Sequence, residues 1–280
     1  MITLGVPAGI GDCSWIVSKL VNSPQWPEVK FLIADGWPYR TKPLFDMLGV
    51  ESDYGKFNYE FILTFEQMHP YKTWETITSN GFGVFYLQPN MFLERDTLNN
   101  WLPDLETNYH YKLKLPQIKN KKYYAKLTKG NWIGISAASY RGHEAWRTWS
   151  MSKWKSLVKM LLNEGYNICF LGGSWDDLTR SLEFEFGDDR CLSLVGQTEF
   201  SEACAVQKLL KFYIGFSSGL GIIRTVLGLP TIMLFPDHLQ SLSISWADPK
   251  DVESKKYMAL TYMRPKSVFK GFKVQESIWR

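Results

Sequence analysis

Phe212-Tyr213-Ile214-Gly215-Phe216, followed at once by Ser217-Ser218-Gly219-Leu220-Gly221, is the stretch whose reading decides the fold. An apolar run of strand length ends in a turn of serines and glycines, and a helical pattern resumes from Ile222 to Leu227. A helix that starts with Gly and Ser leaves its first N–H groups bare, at the positive end of the helix dipole. A diphosphate or a developing oxyanion fits that arrangement. Gly9-Ile10-Gly11-Asp12 follows the opening β-run Ile2–Val6 in the same way. One such turn is weak evidence, because small residues follow strands wherever the backbone reverses sharply. Two of them, in separate α/β halves, point to a ligand held in a cleft.

Strand and helix signals alternate in both directions from that stretch. In the second half, strands are expected at Asn131–Ser136, Ile168–Leu171, Leu192–Val195, Phe212–Phe216 and Thr231–Phe235. Between them lie a helix capped by Ser150, with Trp154, Leu157, Val158, Leu161 and Leu162 at helical spacing before Gly165, and helices from about Asp177, over Glu202–Lys211 and over Ile222–Leu227. In the first half, strands are expected at Ile2–Val6, Val29–Ala34, Tyr59–Thr64 and Gly83–Leu87, with helices at Ser14–Val21 and at Lys42–Leu48, which Gly49 ends. Leu93–Leu105 looks partly helical and stops at Pro103. Such alternation implies mostly parallel sheets covered by helices, whose ligands bind beyond the carboxyl ends of the strands.

The chain has 280 residues, comfortable for two domains. Hydrophobic residues at 45% and charged residues at 21% exclude wholesale disorder. Aromatics reach 15%, an excess that goes with sugar or base stacking as well as with core filling. A net charge of +4 gives no whole-molecule field for nucleic acid, so local patches must carry that case. One patch qualifies: Lys112, Lys114, Lys119, Lys121, Lys122, Lys126 and Lys129, with Tyr111, Tyr123 and Tyr124 among them. It reads as a lysine-rich interdomain connection, or as a grip for a polyanion. No run approaches the roughly 18 apolar residues of a membrane span, and Met1–Leu4 enters a strand without a signal-peptide pattern, so a cytoplasmic protein without integral membrane association is expected. Cys13, Cys169, Cys191 and Cys204 form no C-x-x-C pair and read as reduced packing residues.

Trp132-Ile133-Gly134-Ile135-Ser136, Arg147-Thr148-Trp149, Phe170-Leu171-Gly172-Gly173, Leu194-Val195-Gly196-Gln197-Thr198, and Ser217-Ser218-Gly219-Leu220 through Leu227-Gly228-Leu229-Pro230 occur in the order found in the family-9 glycosyltransferases. The best-known members are the ADP-heptose:lipopolysaccharide heptosyltransferases. The second half resembles that family along these elements, and Gly9-Ile10-Gly11-Asp12 is similar to its amino-terminal glycine-acid turn. The resemblance implies a GT-B-type α/β fold, with two Rossmann-like domains whose mostly parallel sheets face across a cleft. Residues 1–125 would bind the acceptor and 126–256 the nucleotide-sugar, and 257–280 would pack back on the first domain. It also implies an inverting glycosyltransferase moving a sugar from a nucleotide-diphosphate sugar to a hydroxyl acceptor, a saccharide in the first instance. In the donor turn this chain departs from the family, with Ser217 where an acid is usual and Ile222 where a histidine is usual.

Inverting transfer requires a group that takes the acceptor's proton while the diphosphate leaves from the other face. The resemblance gives that role to Asp12, with Gly9, Ile10 and Gly11 as the acceptor-side loop; the residue pattern alone is equally served by Asp12 as a helix cap. Arg147 stands where the family carries a basic residue before its Trp, and a guanidinium can grip a diphosphate at two points. Arg141 and His143 share that loop, and a surface arginine is the plainer alternative for Arg147. Ser217, Ser218, Gly219 and Leu220 would stabilise the leaving charge through N–H and hydroxyl groups, unless they form only a structural turn. Asp176 and Gly173, beyond a strand, would meet the donor's ribose, or Asp176 is a solvated helix-start acid. There is no Asp-x-Asp, so no metal and no cofactor besides the donor is expected. Two other readings stay open: transfer onto hydroxylated bases in DNA, and a non-catalytic nucleotide- or glycan-binding protein. A Rossmann dehydrogenase fits less well, because Gly9-x-Gly11 lacks the third glycine. Oligomeric state is not legible.

Overall fold

The computed structural model describes residues 2–24, 26–34, 41–55, 84–86, 104–138, 149–186, 189–235, 247–261 and 264–279. They form two compact units, Met1–Lys114 and Leu115–Arg280.

The first unit runs β1 (Ile2–Val6), α1 (Ile10–Leu20), a 3-10 turn at Trp26–Glu28, β2 (Val29–Ala34), α2 (Lys42–Leu48), β3 (Ser52–Gly55) and β4 (Val84–Tyr86). The described strands form one parallel sheet in the order β3-β2-β1-β4. Leu4, Val6, Phe31 and Ile33 bury their side chains with Ile16, Val17 and Leu20 of α1 and Leu44 and Phe45 of α2. Phe31 stacks on Phe45 with ring centroids 4.4 Å apart. Gly49 ends α2 in the left-handed conformation, φ 71°, which costs glycine nothing sterically. β3, at the edge of the described strands, is one the sequence did not announce, because Ser52-Asp53-Tyr54-Gly55 carries no apolar run. The strand expected at Tyr59–Thr64 lies outside the described residues, as does most of Leu93–Leu105.

The second unit runs α3 (Lys121–Leu127), β5 (Trp132–Ser136), α4 (Met151–Asn163), β6 (Asn167–Phe170), α5 (Asp177–Glu185), β7 (Cys191–Ser193), α6 (Phe200–Gln207), β8 (Phe212–Phe216), α7 (Gly219–Val226), β9 (Thr231–Phe235), α8 (Pro249–Glu253), β10 (Tyr257–Thr261) and α9 (Pro265–Trp279). Its described strands are all parallel, in the order β10-β9-β8-β5-β6-β7. Successive strand residues face opposite sides. Ile133, Ile135, Phe212, Ile214 and Phe216 meet Trp154, Leu157 and Leu161 of α4. Trp132 and Tyr213 meet Leu127, Val206 and Leu210 on the other face.

Two expectations about domain limits change. The boundary falls before α3 rather than within it, because Leu127 and Tyr123 pack into the core of the second unit while the Lys114 N–H donates to Met47 O at 2.7 Å in the first. The segment expected to return across the first domain is built into the second: β10 pairs with β9, and Val268 and Phe272 of α9 join the core under α4. Phe272 sits edge-on to Tyr166 and Phe212, each ring 5.2 Å away. The amphipathic spacing of α9 supplies the reason, since its apolar side has to cover one end of this sheet.

Candidate active site

In the second sheet the chain builds outward from β5 through β6 to β7, then returns to lay β8 on the other side of β5 and continues through β9 to β10. The direction of winding therefore reverses between β5 and β8. In open α/β sheets the carboxyl ends of the strands at such a reversal are the usual ligand site. Ser136 lies in register with Gly215, so the loop leaving β5 and the turn Ser217-Ser218-Gly219 leaving β8 start side by side. Arg141, His143 and Arg147 lie outside the described residues. In the first sheet β1 is flanked by β2 and β4, and Gly9–Asp12 leaves the end of β1 at the corresponding reversal among the described strands.

Around β8 the helix begins earlier than its apolar pattern suggests. Ser218 is the N-cap of α7, with extended φ −140° and ψ 166°, and its side chain makes no capping hydrogen bond. The first helical bond runs from Ile222 N–H to Ser218 O at 3.0 Å. The first-turn N–H groups are thus not capped by Ser218, as an anion site needs. Three buried groups hold the turn from beneath. The Tyr213 hydroxyl, fully buried, stands 3.5 Å from Ser218 Oγ. Gly215 leaves it room, because a Cβ there would come within 2.6 Å of that hydroxyl. Gln207 Nε2 donates to Leu220 O at 2.9 Å, and the buried Arg224 guanidinium donates to the carbonyls of Gln207, Leu210, Lys211 and Pro230. The Leu220 side chain packs into the core, so only its backbone is available to a ligand.

In the first unit Gly9 is the N-cap of α1 and Asp12 lies inside the first turn. The helix starts at Ile10, ahead of Asp12, so Asp12 is not its N-cap. Asp12 is half-buried, and its carboxylate folds back over Gly9, where a Cβ would collide with Oδ2. The helix's amino-terminal partial charge favours a negative group there. Thr41 Oγ1 donates to Ala8 O and Cys13 Sγ to Pro7 O, so the loop ahead of Asp12 is fixed from two sides. Ile10 is buried in the core and Gly11 is half-buried. Burial pushes the Cys13 thiol well above its ordinary pKa, in keeping with a packing role.

The model of glycosyltransferase family 9 (heptosyltransferase) matches residues 84–267. The chain belongs to glycosyltransferase family 9. ADP-heptose LPS heptosyltransferase II of E. coli is similar in structure, with a TM-score of 0.62 and 14% identity over 98% of each chain. The family-9 glycosyltransferase of Veillonella parvula gives 0.61 and 11% identity over 100% of this chain and 92% of that one. E. coli heptosyltransferase WaaC with ADP gives 0.56 and 12% identity over 98% and 100%. No curated protein sequence matches. The two parallel α/β units are those of the GT-B fold, and the chain is a glycosyltransferase of the nucleotide-sugar-dependent kind.

Within this family-9 enzyme, Asp176 is neither a solvated acid nor an open ribose ligand. It is 4% exposed and caps α5: Oδ1 accepts from Thr179 N–H at 2.9 Å and Oδ2 from Thr179 Oγ1 at 2.6 Å, while the same hydroxyl accepts from Ala137 N–H at 2.9 Å. The cap thereby ties the end of β6 to the loop leaving β5. Gly173 is covered, because the Trp175 ring occupies the place a Cβ would take. Tyr213, Gln207 and Thr179 are the residues sequence reasoning missed; the first two are polar groups in apolar stretches, the one signal available, whereas Thr179 sits in a polar stretch that gives none. A cavity of about 310 Å³ beyond β7 is lined by Lys119, Tyr123, Gln197, Thr198, Glu199 and Glu202, among others. Among the described residues no group of His, Cys, Asp and Glu could hold a metal ion, and no helix is long and apolar enough to cross a membrane.

Burial raises the Asp176 pKa from 3.8 to about 6 against the lowering effect of its Thr179 bonds. A carboxyl whose folded pKa lies above its unfolded one adds stability that is complete below the unfolded value and is lost as pH rises through the folded value. Asp176→Asn keeps an N-cap and removes the titration. Urea unfolding at pH 4 and pH 7 is expected to show the parent losing on the order of 3 kcal/mol relative to the variant over that interval. Equal slopes for the two proteins would place the proton elsewhere.

Proposed function

We propose that this enzyme is an inverting, metal-independent transferase that moves a sugar from a nucleotide-diphosphate sugar to an acceptor hydroxyl, a saccharide in the first instance. One observation supports the reading above others: each glycine-rich turn leaves its own parallel sheet where the winding reverses. Asp12 takes the proton of the acceptor hydroxyl, and the freed oxygen attacks the anomeric carbon. The bond from that carbon to the diphosphate breaks on the opposite face, and its electron pair passes to the leaving oxygen. First-turn N–H groups of α7 and the Ser217 and Ser218 hydroxyls stabilise the charge, with Arg147, Arg141 and His143 as cationic partners. With the diphosphate at β5 and β8, the nucleoside lies toward β6 and β7, two strand spacings of about 4.8 Å away, close to the length of a nucleoside.

ADP, which the WaaC structure contains, heads a panel of nucleoside diphosphates for thermal shift. A matched nucleotide at about 100 times its Kd is expected to add about 2.7 kcal/mol of stability. Ser218→Asp tests the site without endangering the helix, since aspartate is a good N-cap but repels a diphosphate. Its unfolding midpoint should equal or exceed the parent's while the nucleotide-induced shift disappears. An undiminished shift would move the donor elsewhere. Turnover is expected to survive chelation of divalent cations. The non-catalytic reading is favoured by Ser217 and Ile222 in the donor turn, and acceptor-dependent nucleotide release separates the two.

A further inference from the structure

Tyr213, near the start of β8, is fully buried in a cluster with Trp132, Leu171, Leu194, Val206 and Leu210. Phenylalanine would fill that space without taking a hydroxyl out of water, so the phenolic oxygen needs partners. It finds them at the carboxyl ends of two strands. Ser218 Oγ stands 3.5 Å away in the turn leaving β8, and Ser136, the last residue of β5, is the second side-chain partner. Both strands give up side chains to let the ring reach that level. Gly134 is the register partner of Tyr213 on β5, and a Cβ there would come within 3.3 Å of the ring. A Cβ on Gly215, two residues ahead on the same face, would lie 2.6 Å from the phenolic oxygen. Glycine inside a strand marks a place where another group approaches closely. Burial raises the phenol's pKa above its ordinary value, against the lowering effect of its bonds to the two serines, so it is a neutral hydroxyl at physiological pH.

Ser218 has the extended backbone of a capping residue, yet its hydroxyl makes no cap. A serine so placed ordinarily accepts from the N–H two or three residues on, here Leu220 or Gly221, and that bond is worth about a factor of five in equilibrium. Rotation about the Cα–Cβ bond of Ser218 separates the two arrangements, and capping would take its Oγ away from the buried phenol. One N–H cannot serve both the serine and an anion. A self-capped helix has to break its cap before a diphosphate binds, whereas one whose serine is engaged from beneath is open in advance. At 3.5 Å the contact is longer than the 2.7 to 2.8 Å or so usual between hydroxyls, so the phenol biases the Ser218 rotamer without locking it.

We propose that Tyr213 is a positioning residue of the donor site: its phenol draws the Ser218 hydroxyl away from the first turn of α7, which leaves the Leu220 and Gly221 N–H groups to the diphosphate of the nucleotide-sugar. Tyr213 has this role only if the diphosphate occupies the α7 turn, as proposed above. Through Ser136 the same phenol reaches the end of β5, so one buried hydroxyl bridges the two strands between which the winding reverses.

Tyr213→Phe removes one oxygen and keeps the ring, so the full chain should unfold close to the parent's midpoint. Amide hydrogen exchange of the ligand-free protein reads the Ser218 hydroxyl directly: the Leu220 or Gly221 N–H is expected to exchange about fivefold more slowly in the variant, because Ser218 now caps the helix. Affinity is measured with whichever of ADP, GDP, UDP and CDP gives the parent the largest thermal shift, and Tyr213→Phe should weaken it about fivefold. Both changes should vanish in a Ser218→Gly background, where no hydroxyl is left to cap. A merely structural tyrosine would instead lower the midpoint and give the same loss in either background. The proposal is overturned if exchange or affinity in Tyr213→Phe equals the parent's, or if either change persists beside Ser218→Gly. A shift that Ser218→Asp leaves undiminished, or no shift with any of the four nucleotides, overturns the donor reading and the role of Tyr213 with it, even where exchange slows as expected.

Discussion

Asp12→Asn is expected to lower acceptor-dependent turnover by about 10²- to 10⁴-fold, the usual contribution of a positioned general base. The unfolding midpoint and the donor-induced thermal shift should remain close to the parent's. The substitution is chosen for its shape. An asparagine side chain fills the space that the carboxylate occupies over Gly9, and the N-cap of α1 is Gly9, so the helix start does not depend on the carboxylate. What is lost is a group able to accept the acceptor's proton as the new glycosidic bond forms. Alanine would remove packing and charge together and leave the cause of any loss ambiguous. Nucleotide release measured with and without acceptor gives the readout, and donor binding measured separately shows that the second unit is intact. If the variant turns over at the parent's rate, Asp12 is a first-turn acid whose role ends with the start of α1, and the proton acceptor lies elsewhere.

The strand limits were legible where a short apolar run is bounded by glycine, proline or a charge: β1, β2 and α2 lie where their sequence pattern puts them, as do β8 and β9. Helix starts were less legible. α1 begins at Ile10 and α7 at Gly219, in both cases earlier than the apolar spacing suggests, because Gly11, Gly219 and Gly221 look like helix breakers on propensity alone. Their place in the first turn is set by tertiary context, which propensity does not see. α6 shows the converse: its apolar pattern runs on to Lys211 but the helix ends at Gln207, after which Leu209 and Leu210 bond three residues back. The carbonyls released there are taken by Arg224. Of the candidate site, the two turns and their place beyond strands could be read locally. The burial of Asp176 and the contact of Tyr213 with Ser218 could not, because both depend on residues brought together by strand order rather than by spacing.

Arg224→Met is expected to destabilise the second unit by about 3 to 5 kcal/mol, with a midpoint in urea that shows it directly. Arg224 is fully buried in α7 between Ile222, Ile223 and Val226, and among the described residues no carboxylate faces it. Its partners are four backbone carbonyls: Nε donates to Pro230 O at 3.0 Å, Nη1 to Gln207 O at 2.5 Å, and Nη2 to Leu210 O and Lys211 O, both at 3.0 Å. Burial pushes the guanidinium down to about 9, so it remains charged at neutral pH. Two opposing effects decide the size of the loss. Removing a buried cation relieves a desolvation cost of several kcal/mol, whereas four charge-assisted bonds disappear and the buried Leu210 carbonyl loses its guanidinium partner, while Gln207 O keeps only the 3.2 Å bond from Leu210 N–H. In a buried ion pair an apolar replacement of both partners can be neutral, because neither polar group remains. Here the acceptors are main chain and cannot be replaced, so the second effect dominates. Arg224→Lys should fall in between, since one ammonium cannot reach carbonyls on both the α6–β8 connection and the α7–β9 loop. The same fork reaches the proposed donor site at one remove: Gln207, whose carbonyl it holds, donates to Leu220 O in the first turn of α7. A loosened α6 end should therefore weaken nucleotide binding even at temperatures where Arg224→Lys is fully folded, and the nucleotide-induced shift measured there separates that effect from stability alone.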